Sequence, residues 1–215
     1  MKQTRCKICG ITRVEDGLAA AHLGADAIGL VFYPPSRRNI DLDGARAIVA
    51  ALPPFVTSVG LFVDAEPQWV RSAIERVGLD LLQFHGSEGA DYCRSFGRAY
   101  LKAIRMREDA DWSRCEADYG DAAGLLADTW HADVAGGTGE TFDWSRLPSR
   151  RRLPLVLAGG LNATNVGAAI GLVKPWAVDI SGGVESAPGI KSPQEMAAFM
   201  AAIAAVELSE QGASA

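Results

Sequence analysis

Short apolar runs alternate with longer amphipathic stretches from one end of the chain to the other. An apolar run of four to eight residues bounded by turn residues is typical of a buried strand. Eight such runs predict strands over residues 5–9, 27–32, 57–63, 81–84, 100–104, 124–128, 153–157 and 177–180. Most of them are apolar at both odd and even positions, as expected of parallel strands that are covered on both faces.

The stretches between these runs carry signals for the start and end of helices. Clear helical patterns cover residues 14–24, 42–52, 66–78 and 192–208. Gly24 suits the end of the first helix, Asp41 can cap the second, and Pro67 lies in the first turn of the third. Ser192 and Glu195 have the spacing of a capping box, so they mark the start of the last helix.

The alternation amounts to about eight strand–helix units of roughly 27 residues each, which is the number and length typical of a (β/α)8 TIM barrel. An open doubly wound sheet is the alternative. It is disfavoured because the first turn, CGITRVEDG, lacks the G-x-G-x-x-G spacing of that fold. With no linker in between, we expect a single α/β barrel domain over residues 1–207 and a frayed tail over residues 208–215.

Composition narrows the classes of partner and compartment. The 215 residues are 48% hydrophobic, with a net charge of −5 and a pI near 5.2, so no basic surface indicates nucleic-acid binding. No run is long enough to span a bilayer, and the N-terminus lacks the apolar core of a signal peptide. We therefore expect a cytoplasmic protein that binds neither nucleic acid nor membrane.

The chain gives little sign of a metal or cofactor site. Cys6 and Cys9 form a C-x-x-C, but no second cysteine or histidine pair follows at ligand spacing. Residues three apart on a strand also point to opposite faces. The three histidines are far apart and no nicotinamide or flavin fingerprint is present, so we expect no metal and no cofactor.

Barrel enzymes place their active sites at the C-terminal ends of the strands. Paired glycines follow the seventh and eighth predicted strands, where this fold recurrently holds a phosphate. The candidate phosphate-binding residues are Gly159, Gly160, Ser181, Gly182 and Gly183. Glycines let backbone N–H groups approach an anion, although they can also simply form tight turns. The turns after strands three and four have no such pair, so we expect one phosphate on the ligand.

Two strand tips carry candidates for an acid and a base. Asp128 closes the apolar run GLLAD, where it can exchange a proton with a ligand or cap a helix. Cys9 ends the first strand, and Lys7 shares its face two residues earlier. A nearby cation is expected to favour the thiolate and lower the pKa of Cys9. The alternative is that Cys9 is a small buried hydrophobic residue.

Other residues near the tips are candidates for binding the substrate. Arg37 and Arg38, in YPPSRRN, can clamp a carboxylate or remain solvated. His85, which follows the fourth strand, is expected to form a polar wall of the site, and Asp179 is assigned to substrate binding. The glycine-rich loop over residues 129–141 is either a lid or an ordinary surface loop.

With these residues placed, the chain resembles the phosphoribosylanthranilate isomerases of tryptophan biosynthesis. The matching segments are KICGIT (7–12), GLVFYPPSRR (29–38), VGLFV (59–63), LLQFHG (81–86), LLADT (125–129), GGTGETFDW (136–144), LAGGLN (157–162) and DISGGVESAPGIK (179–191). They occur in order over nearly the whole chain, and several are specific to this family. The family usually has S-S-G at positions 181–183 and an aromatic residue at Asn39.

The resemblance implies a cofactor-free Amadori rearrangement of N-(5-phosphoribosyl)anthranilate to 1-(2-carboxyphenylamino)-1-deoxyribulose 5-phosphate. It makes Cys9 the general base, Asp128 the general acid and Arg38 the residue that holds the anthranilate carboxylate. The related isomerase of histidine biosynthesis is an alternative, disfavoured because it uses a carboxylate in place of Cys9 and needs two phosphate sites. A barrel that only binds a phosphorylated ligand is another alternative. We expect a monomer or homodimer.

Overall fold

Eight parallel strands close into a barrel in the computed structural model, which describes residues 4–129 and 141–212. The strands are β1 (Arg5–Cys9), β2 (Ala27–Val31), β3 (Thr57–Phe62), β4 (Leu81–Phe84), β5 (Tyr100–Arg105), β6 (Gly124–Asp128), β7 (Leu155–Leu157) and β8 (Ala177–Ile180). They pair in chain order, and β8 closes the ring by pairing with β1. The predicted barrel fold is confirmed.

Helices surround this barrel. They are α1 (Val14–His22), α2 (Leu42–Ala51), α3 (Pro67–Val77), α4 (Ala90–Arg94), α5 (Trp112–Asp118), α6 (Val166–Val173) and α7 (Pro193–Gly212). Between β6 and β7 the described residues contain a short 3₁₀ helix over Trp144–Arg146. Residues 130–140 of the predicted lid, which belong to the same connection, lie outside the described part.

Asp41 and Ser192 cap their helices as predicted, but the Glu195 half of the capping box is not formed, because the N–H of Ser192 donates to the carbonyl of Val184 instead. The Asp41 carboxylate accepts the backbone N–H of Gly44 at 2.7 Å, and the Ser192 hydroxyl accepts that of Glu195 at 3.2 Å. Each satisfies one of the free N–H groups at a helix start. Helix α7 continues to Gly212, so it includes residues 208–212 of the expected tail. The domain boundary itself stays a prediction.

Most predicted strand ends agree with the structure to within one residue, and β7 is the exception. It begins at Leu155 rather than at residue 153. Pro154 has no backbone N–H to donate to the ladder. It contributes only its carbonyl, which accepts the N–H of Leu125 at 3.0 Å.

Alternation along the strands divides the buried residues into two layers. One layer packs between barrel and helices, and there the rings of Phe32 and Phe62 stack with centroids 5.3 Å apart. The other layer fills the barrel interior, and at its upper end Cys9 packs with Val31 and Leu61. Inward-facing residues at the strand tips therefore meet at one end of the barrel. Within residues 4–129 and 141–212, no helix has the length and apolar character needed to cross a bilayer.

Candidate active site at the barrel mouth

Cys9 is the last residue of β1, and only 5% of it is exposed. Its thiol lies against Gly29 of β2, because a Cβ added at Gly29 would be 2.5 Å from Cys9 Sγ. Glycine at this position leaves the space that the thiol occupies. Cys6, by contrast, belongs to the layer between barrel and helices, so the two cysteines face opposite sides as predicted.

A buried ion pair lies one layer below the thiol. Lys7 Nζ donates to Asp179 Oδ1 at 2.9 Å, and the two residues are register partners across β1 and β8. Burial alone would lower the pKa of Lys7, but the charges of Asp179 and Cys9 hold it above its ordinary value. Lys7 is thus a cation inside the barrel. Asp179, predicted to bind the substrate, lies in this lower layer, and only 8% of it is exposed.

The predicted lowering of the Cys9 pKa is wrong. Burial is the largest influence and raises the pKa of the thiol above its ordinary value. The Lys7 ammonium opposes this effect, and the Asp179 carboxylate adds to it. Lys7 is already paired with Asp179, so its cation offsets only part of the cost of removing a thiolate from water.

Asp128, the last residue of β6, is held by two hydrogen bonds. Its Oδ2 lies 2.9 Å from His85 Nε2, and its Oδ1 accepts the backbone N–H of Thr129 at 2.9 Å. The Nδ1 atom of His85 lies 3.0 Å from Nε2 of Gln83. The side chains of His85 and Asp128 are 18% and 14% exposed, so both reach the mouth. His85, predicted as a wall residue, is the direct partner of Asp128.

Arg38 reaches the mouth from the loop after β2. Its Nε and Nη2 atoms donate to the two carboxylate oxygens of Glu185 at 2.7 and 2.8 Å. These hydrogen bonds are the main reason that the pKa of Arg38 is raised. Gly10 lets the side chain pass, because its φ is +75° and an added Cβ would be 2.5 Å from Arg38 Cδ. Arg37 is exposed.

Glu185 and Lys191 come from a two-stranded hairpin that follows β8, formed by β9 (Glu185–Ala187) and β10 (Ile190–Lys191). Lys191 Nζ donates to Glu185 Oε1 at 2.8 Å and to the carbonyl of Ser181 at 3.1 Å. Burial alone would raise the pKa of Glu185, but the hydrogen bonds from Arg38 and Lys191 hold it below its ordinary value. The sequence did not single out this pair, although both residues lie within the segment DISGGVESAPGIK.

The two glycine-containing loops lie side by side beyond β7 and β8. A Cβ added at Gly183 would be 2.2 Å from the carbonyl oxygen of Leu161, and one at Gly159 would be 2.9 Å from Asp128 Oδ1. Gly159 and Gly160 both have positive φ, at +86° and +64°. Among the hydrogen bonds of residues 4–129 and 141–212, none is donated by the N–H of Gly159 or Gly160. Gly159 thus lies beside the acid candidate, Asp128.

Ser181 uses its side chain within the protein. Its hydroxyl donates to the carbonyl of Cys9 at 3.0 Å and lies 3.4 Å from Lys191 Nζ. Ser181 thereby ties the tip of β8 to the tip of β1. The described residues contain no group of three or more histidine, cysteine or carboxylate side chains suited to a metal ion.

Comparison with known proteins gives one consistent family. The model of the N-(5'phosphoribosyl)anthranilate (PRA) isomerase family matches residues 6–202. An N-(5'-phosphoribosyl)anthranilate isomerase of Pseudomonas fluorescens (strain SBW25) is 54% identical over 94% of this chain and 97% of that protein.

Solved structures agree with this result. The phosphoribosyl anthranilate isomerase of Thermotoga maritima is 42% identical, with a TM-score of 0.87 over 94% of this chain and 100% of that one. A second isomerase structure, described as a complex with reduced 1-(o-carboxyphenylamino)-1-deoxyribulose 5-phosphate, is 40% identical. Its TM-score is 0.84 over the same shares of the two chains. The chain belongs to the N-(5'-phosphoribosyl)anthranilate isomerase family.

Proposed function

We propose that Cys9 and Asp128 are the general base and general acid of this isomerase, which converts N-(5-phosphoribosyl)anthranilate to 1-(2-carboxyphenylamino)-1-deoxyribulose 5-phosphate. The activity, a step of tryptophan biosynthesis, follows from the family to which the chain belongs. One observation carries the assignment of roles. The thiol of Cys9 and the carboxyl group of Asp128 are both on the last residue of a strand, at the same end of the barrel, and the Lys7–Asp179 pair lies beneath them.

The first step opens the ribose ring. Asp128 donates a proton to the ring oxygen while the C1–O bond breaks, and the anthranilate nitrogen supplies the electron pair that forms a C1=N iminium. Asp128 is left as a carboxylate, which the N–H of Thr129 at Oδ1 and His85 at Oδ2 are positioned to stabilise. General acid catalysis of this kind contributes roughly 10²–10⁴ in rate.

The second step removes the proton at C2, which the iminium makes acidic. The Cys9 thiolate takes this proton, the electron pair of the C–H bond forms the C1=C2 bond of an enol-amine, and the π electrons of the C1=N bond return to nitrogen. The enol then loses its hydroxyl proton and gains a proton at C1 to give the ketone. If Asp128 recovers the first of these protons and Cys9 returns the second, both groups regain their starting states. Only protons are transferred, so the reaction needs no redox cofactor.

The raised pKa of Cys9 fits this chemistry, provided that the thiol loses its proton within the active site. A thiolate with a higher pKa is a stronger base, although fewer molecules carry it at neutral pH. The Lys7 ammonium directly below favours the ionised form. The raised pKa thus makes the thiolate a stronger base and disfavours its formation, while Lys7 partly offsets the second effect.

Two anchors are assigned to the substrate. Arg38 is the group for the anthranilate carboxylate, because its side chain lies at the mouth whereas that of Arg37 is exposed. The phosphate is assigned to the glycine loops, with donors from residues 159–160 and from the turn at residues 181–183. Both anchors hold the sugar in place between acid and base, which lowers the entropic part of the barrier.

The partner and compartment assignments go with this function. The relative solved with a reduced carboxyphenylamino deoxyribulose phosphate supports a small sugar phosphate as ligand. The cytoplasmic location of the enzyme and its state as a monomer or homodimer stay predictions.

The fluorescence of the substrate's anthranilate group provides the test. Purified enzyme should consume N-(5-phosphoribosyl)anthranilate catalytically, and NMR should identify the carboxyphenylamino deoxyribulose phosphate as product. Saturable binding without turnover would instead establish a barrel that only binds its ligand. Arg38→Ala should raise KM, with Arg37→Ala as the matched control at the neighbouring exposed position. A KM that rises only in the Arg37 variant contradicts the assigned anchor.

A further inference from the structure

Gln83 is a buried polar residue on the inward face of β4, an otherwise apolar strand. It lies two residues before His85, so both side chains point into the barrel. Its Nε2 is 3.0 Å from His85 Nδ1, and the opposite ring nitrogen of His85 is 2.9 Å from Asp128. The three side chains form a row that ends on the acid.

The placement of the Gln83 amide nitrogen beside His85 assigns the hydrogen-bond roles along this row. An amide NH₂ group can only donate, so His85 Nδ1 must accept. A neutral imidazole that accepts at Nδ1 carries its hydrogen on Nε2 and donates there. In this assignment the neutral His85 donates from Nε2 to Asp128 Oδ2.

We propose that Gln83 is a positioning residue that selects this tautomer of His85, and so keeps His85 a hydrogen-bond donor to Asp128. The proposal rests on the role of Asp128 as general acid. In this tautomer the His85 N–H stabilises the carboxylate that Asp128 becomes after it has protonated the sugar. In the other tautomer a lone pair on Nε2 faces Asp128 and accepts the proton that the sugar should receive.

A second observation separates this role from simple packing. Gln83 Oε1 is buried and has no hydrogen-bond partner in the described part of the chain. A buried polar atom without a partner costs free energy, because the hydrogen bonds that it made to water are not replaced. A glutamine kept only to fill space is poorly suited to this site. Its amide nitrogen has the specific acceptor, so the donor end is the functional one.

The histidine tautomer can be observed directly. The chain has three histidines, so ¹⁵N-histidine labelling gives a simple two-bond ¹H–¹⁵N spectrum in which His85 is assigned by its loss in His85→Asn. In the wild type, Nε2 should be the protonated nitrogen and Nδ1 the unprotonated one. The opposite pattern overturns the proposal, and this result requires no variant of Gln83 and no turnover.

Two variants connect the tautomer to catalysis. Gln83→Glu keeps the size but replaces the donor by an acceptor, so His85 should carry its hydrogen on Nδ1 and face Asp128 with a lone pair, and kcat should fall by about 10²-fold, the lower end of what a general acid contributes. Gln83→Met removes the donor without adding an acceptor, so a mixture of tautomers and a smaller fall, about 10-fold, are expected. KM should change by less than about threefold in both, because Gln83 acts through His85.

The control is Gln68→Glu, the same substitution at an exposed position of α3, which should leave kcat and the His85 signals unchanged. Circular dichroism establishes that each variant is folded. A swapped tautomer with wild-type kcat overturns the proposal, and so does a reduced kcat with an unchanged tautomer, since that is what a purely structural role produces. Absence of turnover in the wild type would refute the function itself, while the tautomer measurement would still report on Gln83.

Discussion

The substitution Gly29→Ala places one methyl group against the thiol of Cys9. The added Cβ would be 2.5 Å from Sγ, whereas ordinary van der Waals contact begins at 3.4 Å. The two groups must therefore separate by about 0.9 Å, the difference between these distances. The Cβ would also be 3.0 Å from the Cα of Cys9, so the tip of β1 has little room to yield. A displacement near 1 Å at a reacting group costs roughly 10²-fold in rate.

We therefore expect Gly29→Ala to lower kcat by about 10²-fold and to change KM little, because the groups proposed to bind the carboxylate and the phosphate lie elsewhere. The assay is anthranilate fluorescence under saturating and limiting substrate. Overpacking should also destabilise the fold by about 1–3 kcal/mol, which thermal unfolding measures.

Gly60→Ala is the matched control. Gly60 is also a strand glycine, and a Cβ there would be 2.5 Å from Leu79 Cδ1, in the layer between barrel and helices. It should lower stability by a similar amount while kcat stays near the wild-type value. A folded Gly29→Ala enzyme with wild-type kcat, or an equal loss in Gly60→Ala, would refute the reasoning that the thiol's position limits the reaction.

Three further predictions concern charge and capping. Glu185→Gln should raise KM roughly fivefold with little change in kcat. A neutral partner holds the Arg38 guanidinium less firmly, which should weaken substrate binding by about 1 kcal/mol. The kcat/KM should rise with pH from neutral toward the raised pKa of Cys9, because only the thiolate accepts a proton. In Lys7→Met this rise of kcat/KM should occur at higher pH, because the cation that lowers the pKa of Cys9 is lost. Ser192→Ala should lower stability by about 1 kcal/mol and Tm by about 2–4 °C, with unchanged kcat.

Each of these has a result that contradicts it. An unchanged KM in Glu185→Gln, compared with the exposed control Glu75→Gln, means that the ion pair does not orient Arg38. If kcat/KM does not change with pH, or if its pH profile is the same in Lys7→Met as in the wild type, ionisation of Cys9 does not limit the rate. Full thermal stability of Ser192→Ala means that the cap of α7 contributes nothing measurable.

The strand tips and the fold were predictable because their signals are local. An apolar run that ends in Cys9 or Asp128 identifies a tip, and a barrel brings all eight tips to one end whatever their distance in sequence. The same rule, that ligands bind at the C-terminal ends of the strands, identified Gly159 and Gly160 in the loop after β7 as candidates for phosphate binding. These predictions needed only the periodicity of the chain and the geometry of one fold.

The partners of these residues were not predictable in the same way. Arg38 and Glu185 are 147 residues apart, and nothing in either segment indicates their ion pair. Gly29 faces Cys9 only because β1 and β2 pair in a particular register. The pKa of Cys9 depends on desolvation, which the sequence does not show. Gln83 did have a signal, a single polar residue in an apolar strand, but its meaning required the position of His85.

The most direct test of the account is the single-turnover rate of Cys9→Ala and Asp128→Asn, followed by fluorescence after rapid mixing with substrate. Each variant should react at least about 10²-fold more slowly than the wild type, while its Kd for a reduced, unreactive analogue of the product stays within about threefold. A rate close to that of the wild type in either variant, with binding intact, would show that the group removed is neither the base nor the acid.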